Sequence, residues 1–143
     1  MLLHGLPGNE RNLDLAQDLR RNGRNVIYFN YRGSWESQGE FLFSRLIEDV
    51  KHVMDFFSTP ENSEKYRIKT DSFILFGHSM GGMVALLSGA KDKRVRKIAI
   101  CSLAGFGVGP RATKEQIKQF YQNTIKPLFM VNTDLERFTK DII

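Results

Sequence analysis

The stretch that most constrains this chain is Phe73-Ile-Leu-Phe-Gly-His-Ser-Met-Gly-Gly82. Its run from Phe73 to Phe76 is wholly apolar, as expected of a strand covered on both faces. It passes without a spacer into Met80 to Ala90, a stretch of small and apolar residues that reads as a helix. A strand that turns straight into a helix leaves Ser79 on a sharp bend that demands unusual backbone dihedrals. The positions two residues either side must then lack bulk, and they are Gly77 and Gly81. Gly82 would let the helix lie close to the sheet. The Ser79 hydroxyl then projects at a helix N-terminus, where free N–H groups and the helix dipole favour developing negative charge. The plain alternative is a surface serine in a glycine-rich turn.

The rest of the chain repeats the same grammar of short apolar runs and amphipathic stretches, the pattern of parallel strands joined by helices. Met1 to Leu3 reads as a strand stub closed by Gly5-Leu6-Pro7-Gly8. Asn9 to Asn22 reads as a helix with Leu15, Ala16 and Leu19 on one side, stopped by Gly23. Val26 to Phe29 is the next strand, and a polar loop runs from Asn30 to Gly39. Leu46, Ile47, Val50, Val53, Met54 and Phe57 fall at helical spacing, with Glu48, Asp49 and Lys51 on the opposite face. Pro60 lies beyond that helix, and a polar connection continues to Thr70. Ile98 to Ser102 gives a fourth strand.

Past Cys101 the character changes. Gly105, Gly107, Gly109 and Pro110 suggest a loop, and Thr113-x-x-Gln116 and Thr133-x-x-Glu136 each have capping-box spacing. The run Pro127 to Val131 between them reads equally as strand or connection.

Composition narrows the classes. With 41% hydrophobic residues in 143, the chain can build a core, and no apolar run approaches the roughly 20 residues that span a bilayer. Polar or charged residues at His4 and Glu10 interrupt any signal peptide. A single cysteine, Cys101, expected as a buried small hydrophobe, forms no internal disulfide and fits a reducing, cytoplasmic compartment. Much of the net charge of +5 sits in Lys91, Lys93, Arg94, Arg96 and Lys97, which reads as a solvated corner and not a nucleic-acid surface. Nothing here speaks to oligomeric state.

Three segments together resemble the α/β-hydrolase superfamily. His4-Gly5-Leu6-Pro7-Gly8 resembles its H-G-x-x-G loop, Arg32-Gly33-Ser34-Trp35-Glu36-Ser37 its R-G-x-x-x-S loop, and Gly77 to Gly82 its nucleophile elbow. The wording is closest to single-domain hydrolases related to the prolyl-oligopeptidase catalytic domain and to monoglyceride lipases. The resemblance implies an α/β fold, a mostly parallel sheet with helices on both faces. The visible strands would match the family's third to sixth, in spatial order fourth, third, fifth, sixth. It further implies a serine hydrolase for carboxylic esters, thioesters or small amides, with a small-molecule acyl substrate and no metal or organic cofactor. Ser79 matches the nucleophile, and the N–H groups of Leu6 and Met80 match the oxyanion-hole donors. His4, Gly5, Gly77, His78 and Gly81 would shape the site.

The family's order is Ser, then Asp or Glu, then His. The histidines here are His4, His52 and His78, and none follows Ser79. A base is therefore expected from sequence beyond Ile143, and the chain is expected to be the middle of a larger domain. The alternative is a truncated, non-catalytic module. Asp134 is a possible acid, or else lies in the first turn of a helix capped by Thr133. Residues 1–103 would form the partial core and 104–143 the start of a helical cap. Trp35 could line an acyl pocket or cover the sheet's end; Phe106, Tyr121, Phe120 and Phe129 could line a channel in the cap. Phe41, Phe43, Phe56 and Phe57 read as core.

Overall fold

The computed structural model describes residues 1–104, 112–128 and 130–142. The expected glycine loop from Gly105 to Pro110, with Phe106, and also Phe129, lie outside them. Among the described residues, β1 (Leu2–Leu3), β2 (Phe73–His78) and β3 (Val95–Cys101) form one parallel sheet in the order β1-β2-β3. The expected strand at Val26 to Phe29 is reduced to one parallel bridge between Leu2 and Tyr28, beside which the Leu2 N–H donates to the Ile27 carbonyl at 2.9 Å. It nonetheless lies beside β1, so the expected spatial order holds.

Helix α1 (Leu13–Arg21) begins four residues later than the spacing suggests, because Asn12 adopts a left-handed conformation with φ +49°. Leu15, Ala16 and Leu19 are half-buried as a face, and the chain leaves the helix at Asn22 and Gly23. Helix α2 (Leu46–Ser58) follows a short 3₁₀ turn at Phe43–Arg45 and buries Leu46, Val50 and Met54. Asp49, expected on its solvent face, is buried at 6% exposure, while Phe56, expected in the core, is exposed. The connection after Ser58 contains a further helix, α3 (Pro60–Lys65). Thr59 caps it by accepting the Asn62 N–H at 3.2 Å, and Pro60 occupies its first turn.

Helix α4 (Met80–Lys91) packs against all three strands. β1 is buried at both its residues, so both faces are covered there. Cover thins outward. On β2, Phe73, Leu75 and Gly77 are buried while Ile74 is exposed, a departure from a strand covered on both faces. β3 begins at Val95, earlier than its apolar run suggests, and its residues are half-buried or exposed, including Ile98 and Ile100. Cys101 on it is exposed, not a buried hydrophobe.

The basic run before β3 is partly neutralised within the fold. Arg94 bonds Asp92 at 2.6 Å and Asp55 of α2 at 2.8 Å. The Arg94 hydrogen bond holds the Asp92 carboxyl below its ordinary range. That guanidinium is a tie between α2 and β3.

Contacts divide the chain into two compact units: Met1–Phe29 with Ile47–Ala104, and Asn30–Leu46 with Gly105–Ile143. The second contains α5 (Lys114–Phe120), a π-helical turn at Tyr121–Ile125, and α6 (Leu135–Ile142). Thr113 and Gln116 form the expected capping box on α5. In α6 the cap is Asp134, whose carboxylate accepts the Arg137 N–H at 2.9 Å; Thr133 does not serve. The loop Asn30–Leu46 is stitched to this unit by Trp35 N–H to Met130 O (2.6 Å), Phe41 N–H to Asn132 O (2.8 Å) and an Arg137–Glu40 ion pair (2.8 Å). Phe138 is fully buried among Phe43, Phe120 and Tyr121, with ring centroids 5.6–6.1 Å apart. No helix among the described residues is long and apolar enough to cross a membrane.

Replacing Phe138 by Ala should therefore lower stability by about 3–5 kcal/mol, the usual cost of emptying an aromatic site. Phe56→Ala, at 53% exposure, should change it by less than about 0.5 kcal/mol. Urea denaturation of both variants measures the contrast.

Candidate active site

Ser79 sits between the end of β2 and the start of α4 with φ +53° and ψ −119°. A residue other than glycine held there stores strain of about 1–3 kcal/mol, which persists only where neighbours over-determine the backbone. They do. The Ser79 N–H donates to the Cys101 carbonyl at 3.0 Å, and its carbonyl accepts from Gly82 at 3.0 Å and Ala104 at 3.2 Å. Cys101 at the end of β3 and Ala104 beyond it thus hold the bend on both sides of Ser79.

The flanking glycines are required by space, not by dihedral. A Cβ on Gly77 would overlap the Gly81 carbonyl, and one on Gly81 would overlap the Leu3 carbonyl. Backbone meets backbone at both points, so no side chain can swing aside. Gly82 similarly faces Ile100 of β3. The close approach of α4 to β1 and β2 depends on that pair.

Met80 is the first residue of α4 and is buried; an N–H at that position has no acceptor within its own helix. The loop after β1 passes directly over the bend. A Cβ at Gly5 would stand 3.1 Å from the Ser79 Cβ and 3.2 Å from the His78 carbonyl oxygen. His4, Gly5, Leu6, Gly77, His78, Ser79, Met80 and Gly81 are thereby gathered in one place within the first unit. Asp134 belongs to the second unit, where its carboxylate caps α6.

Each histidine has a defined neighbour. His4 is 2% exposed and its Nδ1 lies 2.7 Å from the Gly5 carbonyl, which fixes the Nδ1–H tautomer. Its pKa is lowered chiefly by burial, opposed by the Gly5 carbonyl and further lowered by Arg11. His52 is exposed on α2, with Nε2 3.9 Å from Glu48. His78 turns its Nδ1 to the Glu10 carboxylate at 3.2 Å. Glu10 escaped the sequence reading because an acid two residues after a glycine turn carries no pattern; only the fold brings it to His78. Trp35 is half-buried, with its N–H on Met130. Phe120 and Tyr121 pack on Phe138, and the Tyr121 hydroxyl donates to the Thr133 carbonyl at 3.0 Å.

Comparison with known proteins accords with this geometry. The family model described as serine aminopeptidase, S33 (Hydrolase_4) matches residues 1–142. The chain belongs to that family. Membership of the α/β-hydrolase superfamily accounts for a parallel sheet with helices around it. Among curated proteins it is similar to a probable alcohol acetyltransferase of Saccharomyces cerevisiae (strain ATCC 204508 / S288c), 30% identical over 106 residues. That match covers 71% of this chain and 28% of the yeast protein, so the chain spans well under two thirds of that relative. No solved structure matches the chain.

Two expectations follow for this S33 member. Gly81→Ala should destabilise the fold by more than about 2 kcal/mol, because backbone and not a side chain must move; thermal denaturation reads the loss. The second concerns pH. His4 binds a proton less readily folded than unfolded, so its contribution is present above the ordinary histidine pKa and lost as pH falls through the lowered folded value. The stability gap between the native chain and His4→Gln should accordingly narrow below about pH 6.5, as measured by urea midpoints across pH.

Proposed function

We propose that the site performs acyl transfer through Ser79. In this reading the Ser79 oxygen bonds to the acyl carbon of an ester, thioester or small amide, and the N–H groups of Leu6 and Met80 hold the resulting oxyanion. The serine proton passes to a base and then to the leaving group, which departs as an alcohol, thiol or amine. Water next adds to the acyl-enzyme and releases the carboxylic acid, restoring the Ser79 hydroxyl. The observation that carries the reading is the strained Ser79 backbone at the first turn of α4, with Gly5 packed against it.

His4, His52 and His78 are turned to Gly5, Glu48 and Glu10. The reading therefore assigns the base to a histidine, and the acid to a carboxylate, outside these 143 residues. Residues 104–143 are assigned to the start of a cap that shapes substrate choice, acting in the cytoplasm. The yeast relative's name favours a second acyl acceptor: an alcohol in place of water would yield an ester from the same acyl-enzyme.

A fluorophosphonate probe tests the nucleophile in the chain as it stands. Loss of the triad base costs many orders of magnitude in other serine enzymes. Labelling should thus be slow, should rise at least about tenfold with added imidazole as a replacement base, and should map to Ser79 by peptide mass spectrometry. Ser79→Ala should abolish it. Labelling that survives this substitution, or none with imidazole, would overturn the assignment.

A further inference from the structure

We infer that Glu10 is a positioning residue that fixes the oxyanion loop through the His78 ring, an inference that rests on the role proposed for Ser79. The loop from His4 to Glu10 contains no regular secondary structure, yet it carries the Leu6 N–H that must face the same point as the Met80 N–H. Its first end is fixed by β1 and by the His4 Nδ1–H on the Gly5 carbonyl at 2.7 Å. Its far end is fixed on the bend itself. The Glu10 carboxylate lies 3.2 Å from His78 Nδ1, and His78 immediately precedes Ser79.

The ring that Glu10 holds also covers the inner side of the loop. A Cβ on Gly5 would stand 3.4 Å from His78 Nδ1, with the His78 carbonyl at 3.2 Å and the Ser79 Cβ at 3.1 Å. The His78 ring thus lies beside the loop at Gly5 and 3.2 Å from the Glu10 carboxylate, and the four residues from Leu6 to Asn9 arch between those points. Beyond them Arg11 lies over the Tyr28 ring at 5.8 Å, so the chain leaving the arch is held to the sheet as well. A ring swung away from Glu10 would free one end of the arch and leave the direction of the Leu6 N–H unspecified. Because Glu10 is mostly exposed, the pair adds little to global stability. Its effect falls on the local geometry of one N–H.

Amide hydrogen exchange followed by NMR reads that geometry directly. Glu10→Ala and His78→Ala should each speed exchange at Leu6 by about three- to tenfold, as local opening becomes easier. The double variant should go no further than either single one. The Leu75 amide of β2 and the urea midpoint should stay as they are in Glu10→Ala. Glu10→Gln keeps an oxygen within the same reach of the His78 ring and should restore slow exchange at Leu6. Imidazole-assisted labelling of Ser79 should fall and recover in the same order. Leu6 exchange unchanged in Glu10→Ala, or additive effects in the double variant, would overturn the inference. If exchange responds as described but Ser79 labels in no form, the positioning role stands and the nucleophile assignment fails.

Discussion

The structure turns on the contact between two backbones, Gly77 at the end of β2 and Gly81 in the first turn of α4. A side chain at either point would collide with a carbonyl, so only glycine lets the helix start where it does. That start forces Ser79 into its strained conformation, and the Cys101 and Ala104 hydrogen bonds keep it there. The same approach sets Leu3 and His4 against Gly81, which brings the following loop over the serine. The close packing of the helix and the strained Ser79 backbone follow from one steric requirement. The strain is local and the burial that offsets it is distributed over β1, β2 and α4.

Much of this was legible because its signals are local. The step from Phe73–Phe76 through Gly-x-Ser-x-Gly to a small-residue helix specifies the bend, and the Thr113 and Gln116 spacing specifies the start of α5. Spatial order followed from the family resemblance and not from any periodicity. The Thr59-Pro60 pair that starts α3 was also readable, since a threonine cap and a proline in the first turn are sequence signals. Because that segment is polar throughout and shows no apolar face, periodicity alone does not mark it.

What the sequence did not disclose depends on who covers whom. Cys101, Ile98 and Ile100 have buried-strand composition, yet β3 pairs only with β2 among the described residues and its side chains remain accessible. Asp49 sits on the polar side of α2 by periodicity and is buried all the same. Asn30 to Gly39 reads as a polar loop between core elements, but the Trp35 N–H donates to the Met130 carbonyl and the Gly33 carbonyl accepts the Asn132 N–H. Such pairings are long-range and leave no mark at short spacing. At the candidate site the serine and glycines were readable one by one, whereas the Glu10–His78 pair exists only after folding.

The most direct measurement is a crystal structure of the chain carrying a phosphonate on Ser79. The account predicts a phosphoryl oxygen within about 2.7–3.1 Å of both the Leu6 and Met80 nitrogens, the range expected of oxyanion donors. The Ser79 φ should remain positive. A phosphoryl oxygen directed to solvent, or a Ser79 backbone relaxed to an ordinary helical or extended conformation, would contradict it.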